Sequence, residues 1–246
     1  MKIALELVPK DEQYIRKQVD FVKGTIPQIS AINFPDLTRF DIRSWEACRM
    51  AGRSKLDLIA HLRAIDFDIN QPFPLKDFFN TNHIGKVLVI EGDKPVNSHR
   101  KTYPTKSLDF ISKLRDEAGE LKIYAAFDPY RNNIRYELDY VVQKMNAGAT
   151  GFFSQPFFDL RLLEIYSEYL EGLDIYWGIC PVITDSSKAY WESRNRAIFP
   201  KSFLPTLDWN VRFGHQVIDF CCKRNFNLYL MPITIDLTEY LSELFR

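Results

Sequence analysis

The chain has 246 residues, of which 46% are hydrophobic and 26% charged, a composition typical of a globular protein long enough to bury a large single core. Its 32 Lys and Arg residues balance 32 Asp and Glu residues, which argues against a general nucleic-acid or membrane-surface binder. The four cysteines lack the spacing of zinc ligands, and no apolar stretch approaches the roughly 20 residues of a membrane span. An acidic residue follows the N-terminus too early for the core of a signal peptide. We therefore expect a cytoplasmic protein with reduced thiols.

Runs of apolar and β-branched residues alternate along the chain with segments of helical spacing. The predicted strands cover residues 3–8, 28–34, 57–65, 86–90, 122–127, 151–154, 175–182 and 228–233. The predicted helices cover residues 11–23, 42–51, 74–80, 108–118, 134–147, 160–170, 187–197, 209–224 and 237–245. Glycines that favour a positive φ are expected to end four of these helices, namely Gly24, Gly52, Gly119 and Gly148.

Strict alternation of strands and helices implies parallel pairing with right-handed crossovers. Eight such units in about 250 residues match the size of a (β/α)8 TIM barrel. A doubly wound open sheet is the alternative, but it usually has fewer strands and a glycine-rich first turn, and residues 8–10 contain no glycine. We therefore predict one α/β domain, a single (β/α)8 barrel over residues 1–246.

Polar residues stand at or just after the ends of six predicted strands. They are Glu6, Asn33, His61, Asp93, Asp128 and Gln155. Because the active site of a barrel lies at the carboxyl ends of its strands, these acids and amides are expected to converge on one mouth. No Walker, GxGxxG or nucleophile-elbow pattern is present. A metal site made of His61, Asp93 and Glu6 is an alternative, although a lone strand histidine is more often structural.

Glu6 is the most informative of these residues. It stands between Leu5 and Leu7 in the first strand, so its side chain is expected to point inward among apolar groups. Desolvation there would raise its pKa and keep a proton on the carboxyl group near neutral pH, as a general acid requires. The alternative is a barrel-interior carboxylate paired with a lysine or arginine.

Gln155 directly follows the unbroken apolar strand 151–154. A neutral amide with two donors and an acceptor can recognise the edge of a planar heterocycle. Pro156 is expected to stop the strand, and Phe157 and Phe158 to supply apolar wall. The alternative is a solvated glutamine at a strand end beside core aromatics.

Five segments, in the same order, resemble the catalytic barrel of the 5,10-methylenetetrahydrofolate reductase family. They are residues 5–9, 60–66, 89–95, 147–159 and 178–182. The most specific is Gln-x-Phe-Phe-Asp at residues 155–159, followed by Gly-Asp-x-Pro at residues 92–95. The family fold is a TIM barrel, which agrees with the independent strand count.

The resemblance implies reduction of 5,10-methylenetetrahydrofolate to 5-methyltetrahydrofolate by hydride from reduced FAD, with NAD(P)H as the ultimate donor. A proton delivered to a folate nitrogen opens the ring and leaves an iminium that accepts hydride. Glu6 matches the general acid, Asp93 the acid that contacts the pterin near the flavin, and Gln155 the folate-binding amide. Trp191 falls near a ligand-stacking aromatic, although a helical tryptophan serves packing equally well. Positions at or near the flavin contacts are His61, Tyr103, Glu137 and Lys144.

This chain departs from the family on the flavin side. Glu91 replaces the usual arginine before Gly-Asp, and residues 127–131 lack the usual His-Pro-Glu. Arg131 or Arg135 is a candidate replacement for the lost phosphate contact. Otherwise FAD is bound weakly, or hydride comes directly from a nicotinamide.

Other function classes stay open. One is a folate-binding barrel without flavin that performs nicotinamide-dependent reduction or methyl transfer, and another is a non-catalytic regulatory subunit. The expected partner is a tetrahydrofolate derivative, and the open assemblies are a homo-oligomer or a complex with an electron-transfer subunit. Three tyrosines are expected to be exposed and either to line an interface or to pad helices, namely Tyr166, Tyr169 and Tyr190.

Overall fold

The structure, a computed structural model, describes residues 1–52, 55–94, 100–233 and 235–246. Eight parallel strands close into one barrel in chain order, with the last strand paired to the first, so the predicted (β/α)8 barrel is confirmed. The strands are β1 (Ile3–Glu6), β2 (Ile29–Phe34), β3 (Asp57–Arg63), β4 (Lys86–Ile90), β5 (Lys122–Phe127), β6 (Gly151–Pro156), β7 (Ile175–Ile179) and β8 (Asn227–Leu230).

Helices connect successive strands on the outside of the barrel, and two of them separate β7 from β8. They are α1 (Glu12–Thr25), α2 (Ser44–Ala51), α3 (Lys76–Asn82), α4 (Ser107–Glu117), α5 (Ile134–Ala147), α6 (Leu160–Tyr169), α7 (Asp185–Asn195), α8 (Leu207–Arg224) and α9 (Leu237–Leu244). None of the helices in the described part of the chain has the length and hydrophobicity to cross a bilayer.

The alternation of side chains along each strand divides the core into two clusters. One lies between the strands and the helices and contains Leu5, Ile32 and Leu62. The other fills the barrel interior and contains Ala4, Ala31 and their counterparts on the other strands. A residue's place in this alternation therefore decides whether it faces the helices or the inside of the barrel.

Aromatic side chains from four consecutive strands fill part of the barrel interior. They are Tyr124, Phe153, Tyr176 and Tyr229. Phe153 stacks on Tyr176 at 4.4 Å between ring centroids and meets Tyr229 edge-on at 5.0 Å. Each such pair contributes about 0.5–1.5 kcal/mol beyond the burial of its area. This aromatic layer supports the residues that follow it along each strand.

Several strands end earlier than predicted. β1 ends at Glu6, β7 at Ile179 and β8 at Leu230, and residues 64–66 form a short 3-10 turn after β3. The residues beyond these ends, such as Val182 and Met231, are also buried, although Val182 N–H donates to the Asn210 side chain and Met231 N–H to the Ile179 carbonyl, both at 2.9 Å. An apolar run continues through them, so composition alone does not separate strand from buried loop.

β6, in contrast, runs two residues past its predicted end at residue 154 and ends at Pro156, the residue expected to stop it. Pro156 pairs with Gly178 across an irregular register, and the next residue, Phe157, donates its backbone N–H to the Gly178 carbonyl at 2.8 Å. Proline lacks only the donor, and the following residue supplies it, so the ladder survives at this position.

The predicted glycine ends are correct for two of the four helices. Gly52 (φ 71°) follows α2 and Gly148 (φ 125°) follows α5. Gly24 instead lies inside α1, which ends at Thr25, and α4 ends at Glu117, with Ala118 rather than Gly119 at its boundary. Neither Gly24 nor Gly119 adopts a positive φ, so these helices end without the left-handed residue that a glycine usually supplies.

The prediction of exposed tyrosines is correct for Tyr169 and Tyr190, whose exposed fractions are 69% and 58%. It is wrong for Tyr166, which is fully buried. The inward face of α6 carries Tyr166 into the core, where its hydroxyl donates to the Pro129 carbonyl at 3.0 Å. That hydrogen bond satisfies the polar end of an otherwise apolar side chain.

Candidate functional site

A cavity of about 590 Å³ opens at the carboxyl ends of the strands. This volume lies in the range of small-molecule sites, roughly 300–1,000 Å³. Four of the residues predicted for the site line it, namely Glu6, His61, Gln155 and Trp191. The other lining residues are mainly apolar, so the cavity combines apolar walls with a few polar groups.

The period of two along each strand explains why these polar residues meet. The inner cluster holds one residue from each of four strands, namely Ala4, Ala31, Ile59 and Phe153. Two positions further along the same strands stand Glu6, Asn33, His61 and Gln155. Because every second side chain points inward, these four residues form the next layer toward the mouth.

Glu6 is half-buried in the wall of the cavity. Burial raises its pKa from the ordinary value of 4.5 to about 7, against the opposing effect of a hydrogen bond that the Tyr229 hydroxyl donates to Oε2. Within the described residues no lysine or arginine pairs with this carboxyl group, so the expected rise in its pKa is found and the ion-paired alternative is not.

His61 is buried, with 5% of its surface exposed, and Nε2 lies 3.4 Å from Nδ2 of Asn33. Burial lowers the pKa of His61 to about 3, so the ring is neutral at physiological pH. Among the described residues there is no group of three or more His, Cys, Asp or Glu side chains that could hold a metal ion. The metal alternative for His61, Asp93 and Glu6 therefore has no support in this part of the chain.

Gln155 is half-buried at the end of β6 and borders the cavity. The preceding residue anchors the strand there, because Ser154 Oγ accepts the Gly178 backbone N–H at 2.7 Å. Trp191 has 8% of its surface exposed and meets Phe158 edge-on at 5.6 Å between ring centroids. Trp191 thus packs against the core and also borders the cavity.

The two predicted aspartates are not among the lining residues. Asp93 is exposed, because β4 ends at Ile90 and Gly92 (φ 87°) turns the chain before it. Asp128 Oδ1 accepts the Tyr130 backbone N–H at 3.0 Å in a turn after β5. Of the expected trio of Glu6, Asp93 and Gln155, only Glu6 and Gln155 share the cavity. Pro95 of the Gly-Asp-x-Pro segment lies outside the described residues.

Of the four residues expected near the flavin, only His61 borders the cavity. Lys144 is 3% exposed, and its Nζ donates to the Ala126 carbonyl at 2.6 Å and lies 4.2 Å from the centre of the Tyr140 ring. Burial lowers the pKa of Lys144 to about 8. Glu137 is 1% exposed, and its Oε1 accepts from Asn132 Nδ2 at 2.7 Å. Both polar ends are thus satisfied inside the protein.

Tyr103 is partly buried, and its backbone N–H donates to the Ile65 carbonyl at 2.7 Å. Arg131 and Arg135, the candidate replacements for the lost phosphate contact, each lie near a carboxylate. Arg131 Nε is 3.8 Å from Glu137 Oε1, and Arg135 Nε is 3.6 Å from Asp139 Oδ2. The buried carboxylate of Glu137, next to Lys144, would repel a diphosphate. As packed, Glu137 and Lys144 therefore offer no free polar group to the diphosphate of FAD.

Glu91 has a structural role that accounts for its charge. Its Oε2 accepts the Ser107 backbone N–H at 2.7 Å at the start of α4, and Oε1 lies 3.1 Å from Lys106 Nζ. Although burial raises the pKa of Glu91, the contacts with Ser107 and Lys106 bring it below its ordinary value. A carboxylate at a helix N-terminus is favourable, whereas an arginine there would not be.

Sequence reasoning missed several residues that line the cavity, namely Arg39, Cys180, Tyr190, Asn195 and Tyr229. For Tyr229 a signal existed, because it occupies an inward position on β8 between Leu228 and Leu230, which belong to the outer cluster. The same signal existed for Cys180, which lies in the predicted strand 175–182 and shares the inward parity of Tyr176. Arg39, Tyr190 and Asn195 lie on a loop or on α7, where no strand period predicts their direction.

Comparison with known proteins gives the family. The sequence model of the methylenetetrahydrofolate reductase family matches residues 12–206. The 5,10-methylenetetrahydrofolate reductase of Buchnera aphidicola subsp. Schizaphis graminum is 22% identical over 158 residues, which cover 62% of this chain and 54% of that protein. The chain thus spans about half the length of the curated relative that it matches.

Solved structures support the fold. An uncharacterized protein from Clostridium thermocellum that binds two copies of 5-methyl-5,6,7,8-tetrahydrofolic acid superposes with a TM-score of 0.68 at 11% identity, over 98% of this chain and 92% of that one. A 2,3-dimethylmalate lyase of the PEP mutase/isocitrate lyase superfamily superposes with a TM-score of 0.59 at 9% identity, over 98% and 77%.

At these identities the structural likeness shows the barrel fold alone. The family match is of another kind, because it extends over residues 12–206 and so covers well over half of the sequence. The chain therefore belongs to the methylenetetrahydrofolate reductase family.

Proposed function

We propose that this chain binds a reduced folate in the cavity and reduces 5,10-methylenetetrahydrofolate to 5-methyltetrahydrofolate, with Glu6 as the general acid. The observation that carries the proposal is that a carboxyl group with a pKa raised to about 7 and the amide of Gln155 border one cavity of about 590 Å³ in a member of this family. The Clostridium thermocellum protein, which shares the fold, binds 5-methyltetrahydrofolic acid.

The chemistry needs one proton and one hydride. The proton passes from the Glu6 carboxyl group to a folate nitrogen, and the bond between that nitrogen and the methylene carbon breaks. The resulting iminium accepts the hydride at the same carbon, which becomes the methyl group. The Glu6 carboxylate left behind lies in a buried wall, where its negative charge stabilises the adjacent cation more strongly than in water.

The remaining lining residues suit a folate. The amide of Gln155 offers donors and an acceptor to the edge of a pterin, and Phe153 and Ile90 provide apolar surface for its faces. Arg39 is exposed in the loop after β2 and borders the same cavity. Its guanidinium suits the carboxylates at the glutamate end of a folate.

The hydride donor expected from the family is FAD, reduced by NAD(P)H. When bound, the flavin would supply the hydride, with His61 as the residue of the expected set that borders the cavity. Because Glu137 and Lys144 are satisfied inside the protein, we assign no step to FAD, and direct transfer from a nicotinamide is the competing route.

A folate-binding barrel that reduces nothing is the second candidate function. The observation that favours it is the position of Asp93, which is exposed and does not border the cavity with Glu6 and Gln155. Such a barrel would hold methyltetrahydrofolate for methyl transfer or regulate a partner subunit.

The first test is binding. Purified protein is titrated with 5-methyltetrahydrofolate by calorimetry, next to Gln155→Ala and a control, Gln143→Ala, which removes an exposed glutamine from α5. We expect Gln155→Ala to weaken binding about 10- to 100-fold, because its hydrogen bonds to the pterin are lost, and Gln143→Ala to match the wild type. Absence of binding by the wild-type protein would overturn both candidate functions.

The second test is reduction. The absorbance spectrum of the purified protein reports bound flavin, and methylenetetrahydrofolate reduction is assayed with NADH or NADPH, with and without added FAD, and with a chemically reduced dye as the electron source. Reduction only in the presence of flavin supports the FAD route, and reduction by a nicotinamide alone supports direct transfer. Folate binding without reduction under any of these conditions supports the second candidate.

A further inference from the structure

Tyr229 contacts the proposed general acid across the seam where the barrel closes. β1 and β8 pair with Ala4 opposite Tyr229, and Glu6 stands two residues beyond Ala4 on the same inward face. Diagonal neighbours on paired strands are within reach of a long aromatic side chain. The Tyr229 hydroxyl reaches Glu6 in this way and donates a hydrogen bond to Oε2.

Tyr229 is itself held rigidly and remains a donor. It is 3% exposed, and its ring meets Phe153 edge-on at 5.0 Å between centroids. Burial, and then the nearby Glu6, raise the pKa of Tyr229 well above its ordinary value, so the hydroxyl keeps its proton at any physiological pH. The amide of Asn33 interacts with the same hydroxyl from β2.

We infer that Tyr229 is a positioning residue for the proposed reaction: its hydroxyl holds one oxygen of Glu6 in the barrel wall, so that the other oxygen faces a ligand in the cavity. The inference rests on the proposed function. It draws on the contact between the two side chains, on the burial of Tyr229 and on the presence of both residues in the cavity lining.

The other groups near Glu6 do not offer its carboxyl group a positive charge, which leaves the hydrogen bond from Tyr229 as its main stabilising contact among the described residues. His61 faces the interior from β3 as a neutral ring, and the Cys180 thiol lies beyond β7, where burial and then Glu6 raise its pKa. The cation among the lining residues, Arg39, is exposed at the mouth. Within the described residues, the Tyr229 hydrogen bond is the contact that opposes the effect of burial on the Glu6 carboxyl group.

The experiment is a carbon-13 NMR titration of the Glu6 carboxyl group in ligand-free protein, with the signal assigned by Glu6→Gln. It compares wild type, Tyr229→Phe and a matched control, Tyr176→Phe, which removes a hydroxyl from the same aromatic layer where it bonds to Tyr124. Loss of a hydrogen bond to the charged form should raise the titration midpoint in Tyr229→Phe by about one pH unit and leave the control unchanged. An unchanged midpoint in Tyr229→Phe overturns the inference.

Kinetics then separate positioning from packing. Where the wild type reduces methylenetetrahydrofolate, Tyr229→Phe should lower kcat about 10-fold, shift the pH profile in the same direction as the NMR midpoint and keep the Kd for 5-methyltetrahydrofolate within about threefold. A loss confined to Kd contradicts the inference. If the wild-type protein reduces no methylenetetrahydrofolate, the proposed function is refuted. The ligand-free titration then still tests whether Tyr229 acts on the Glu6 carboxyl group.

A second measurement covers the case in which Tyr229→Phe does not fold. Fluorotyrosine incorporated at all tyrosines gives a more acidic hydroxyl and a stronger hydrogen bond to the carboxylate. The Glu6 midpoint should then fall below that of the unlabelled protein. No change in the midpoint counts against the inference.

Discussion

Glu6, which is half-buried, and Lys144, which is buried, are two ionisable residues in contrasting surroundings. Glu6 stands in the wall of an open cavity, accepts one hydrogen bond and meets no cation among the described residues. Lys144 belongs to α5 and donates to a backbone carbonyl, with the Tyr140 ring against its ammonium group. Burial shifts the pKa of each toward the neutral form, to about 7 for Glu6 and about 8 for Lys144.

The difference shows where chemistry is available. A buried group whose partners all belong to the protein contributes to the fold, and a ligand gains little by replacing those partners. A buried group that borders a cavity and has one partner can exchange its proton with a ligand. The interior of the barrel therefore holds the candidate site, and the helix that was expected to carry flavin contacts holds a satisfied network.

The largest expected effect is on Glu6 itself. Glu6→Gln should lower the rate of methylenetetrahydrofolate reduction about 10²- to 10⁴-fold, because the amide cannot deliver the proton. The control is Glu12→Gln, the same chemical change on an exposed residue of α1. Steady-state kinetics with saturating electron donor measure the effect. A rate for Glu6→Gln within twofold of the wild type would remove Glu6 from the mechanism.

The next effect is on stability as a function of pH. The unfolded chain loses the Glu6 proton near 4.5, whereas the folded protein keeps it up to about 7. The contribution of Glu6 to the free energy of unfolding is therefore highest below pH 4.5 and falls as the pH rises to 7, by up to about 3 kcal/mol. Because the low pKa of His61 contributes a slope of the opposite sign below about pH 6.5, the quantity to compare is the difference in the free energy of unfolding between wild type and Glu6→Gln. In urea unfolding from pH 5 to pH 7.5, wild type minus variant should fall as the pH rises. Parallel slopes would mean that burial does not perturb Glu6.

The smallest effect on ligand binding is expected at Lys144. Lys144→Met keeps the length of the side chain but leaves the Ala126 carbonyl without its donor and the buried Glu137 without a neighbouring cation, so the free energy of unfolding should fall by about 1–3 kcal/mol. The Kd for 5-methyltetrahydrofolate should stay within about twofold. The comparison would break if the variant lost bound flavin without any change in melting temperature, since Lys144 would then be a cofactor contact.

Local sequence pattern was enough to predict the architecture and part of the site. Alternating apolar runs and helical segments gave eight strands in a barrel, because the hydrophobic period reports which face of each element is buried. The same period placed Glu6, His61 and Gln155 inside, since each lies on a strand where every second side chain points inward. The inward direction of these three side chains can be predicted from the strand period, because that period is visible in a short stretch of sequence.

The other features of the site depend on how the whole chain folds. Asp93 follows a glycine turn beyond the strand, where the period of two no longer applies, and its side chain is exposed. The directions of Glu137 and Lys144 depend on what packs against α5. Tyr229 and Glu6 are 223 residues apart in sequence and meet only because the last strand pairs with the first. Contacts between distant segments depend on the closure of the whole barrel, which no local stretch of the sequence encodes.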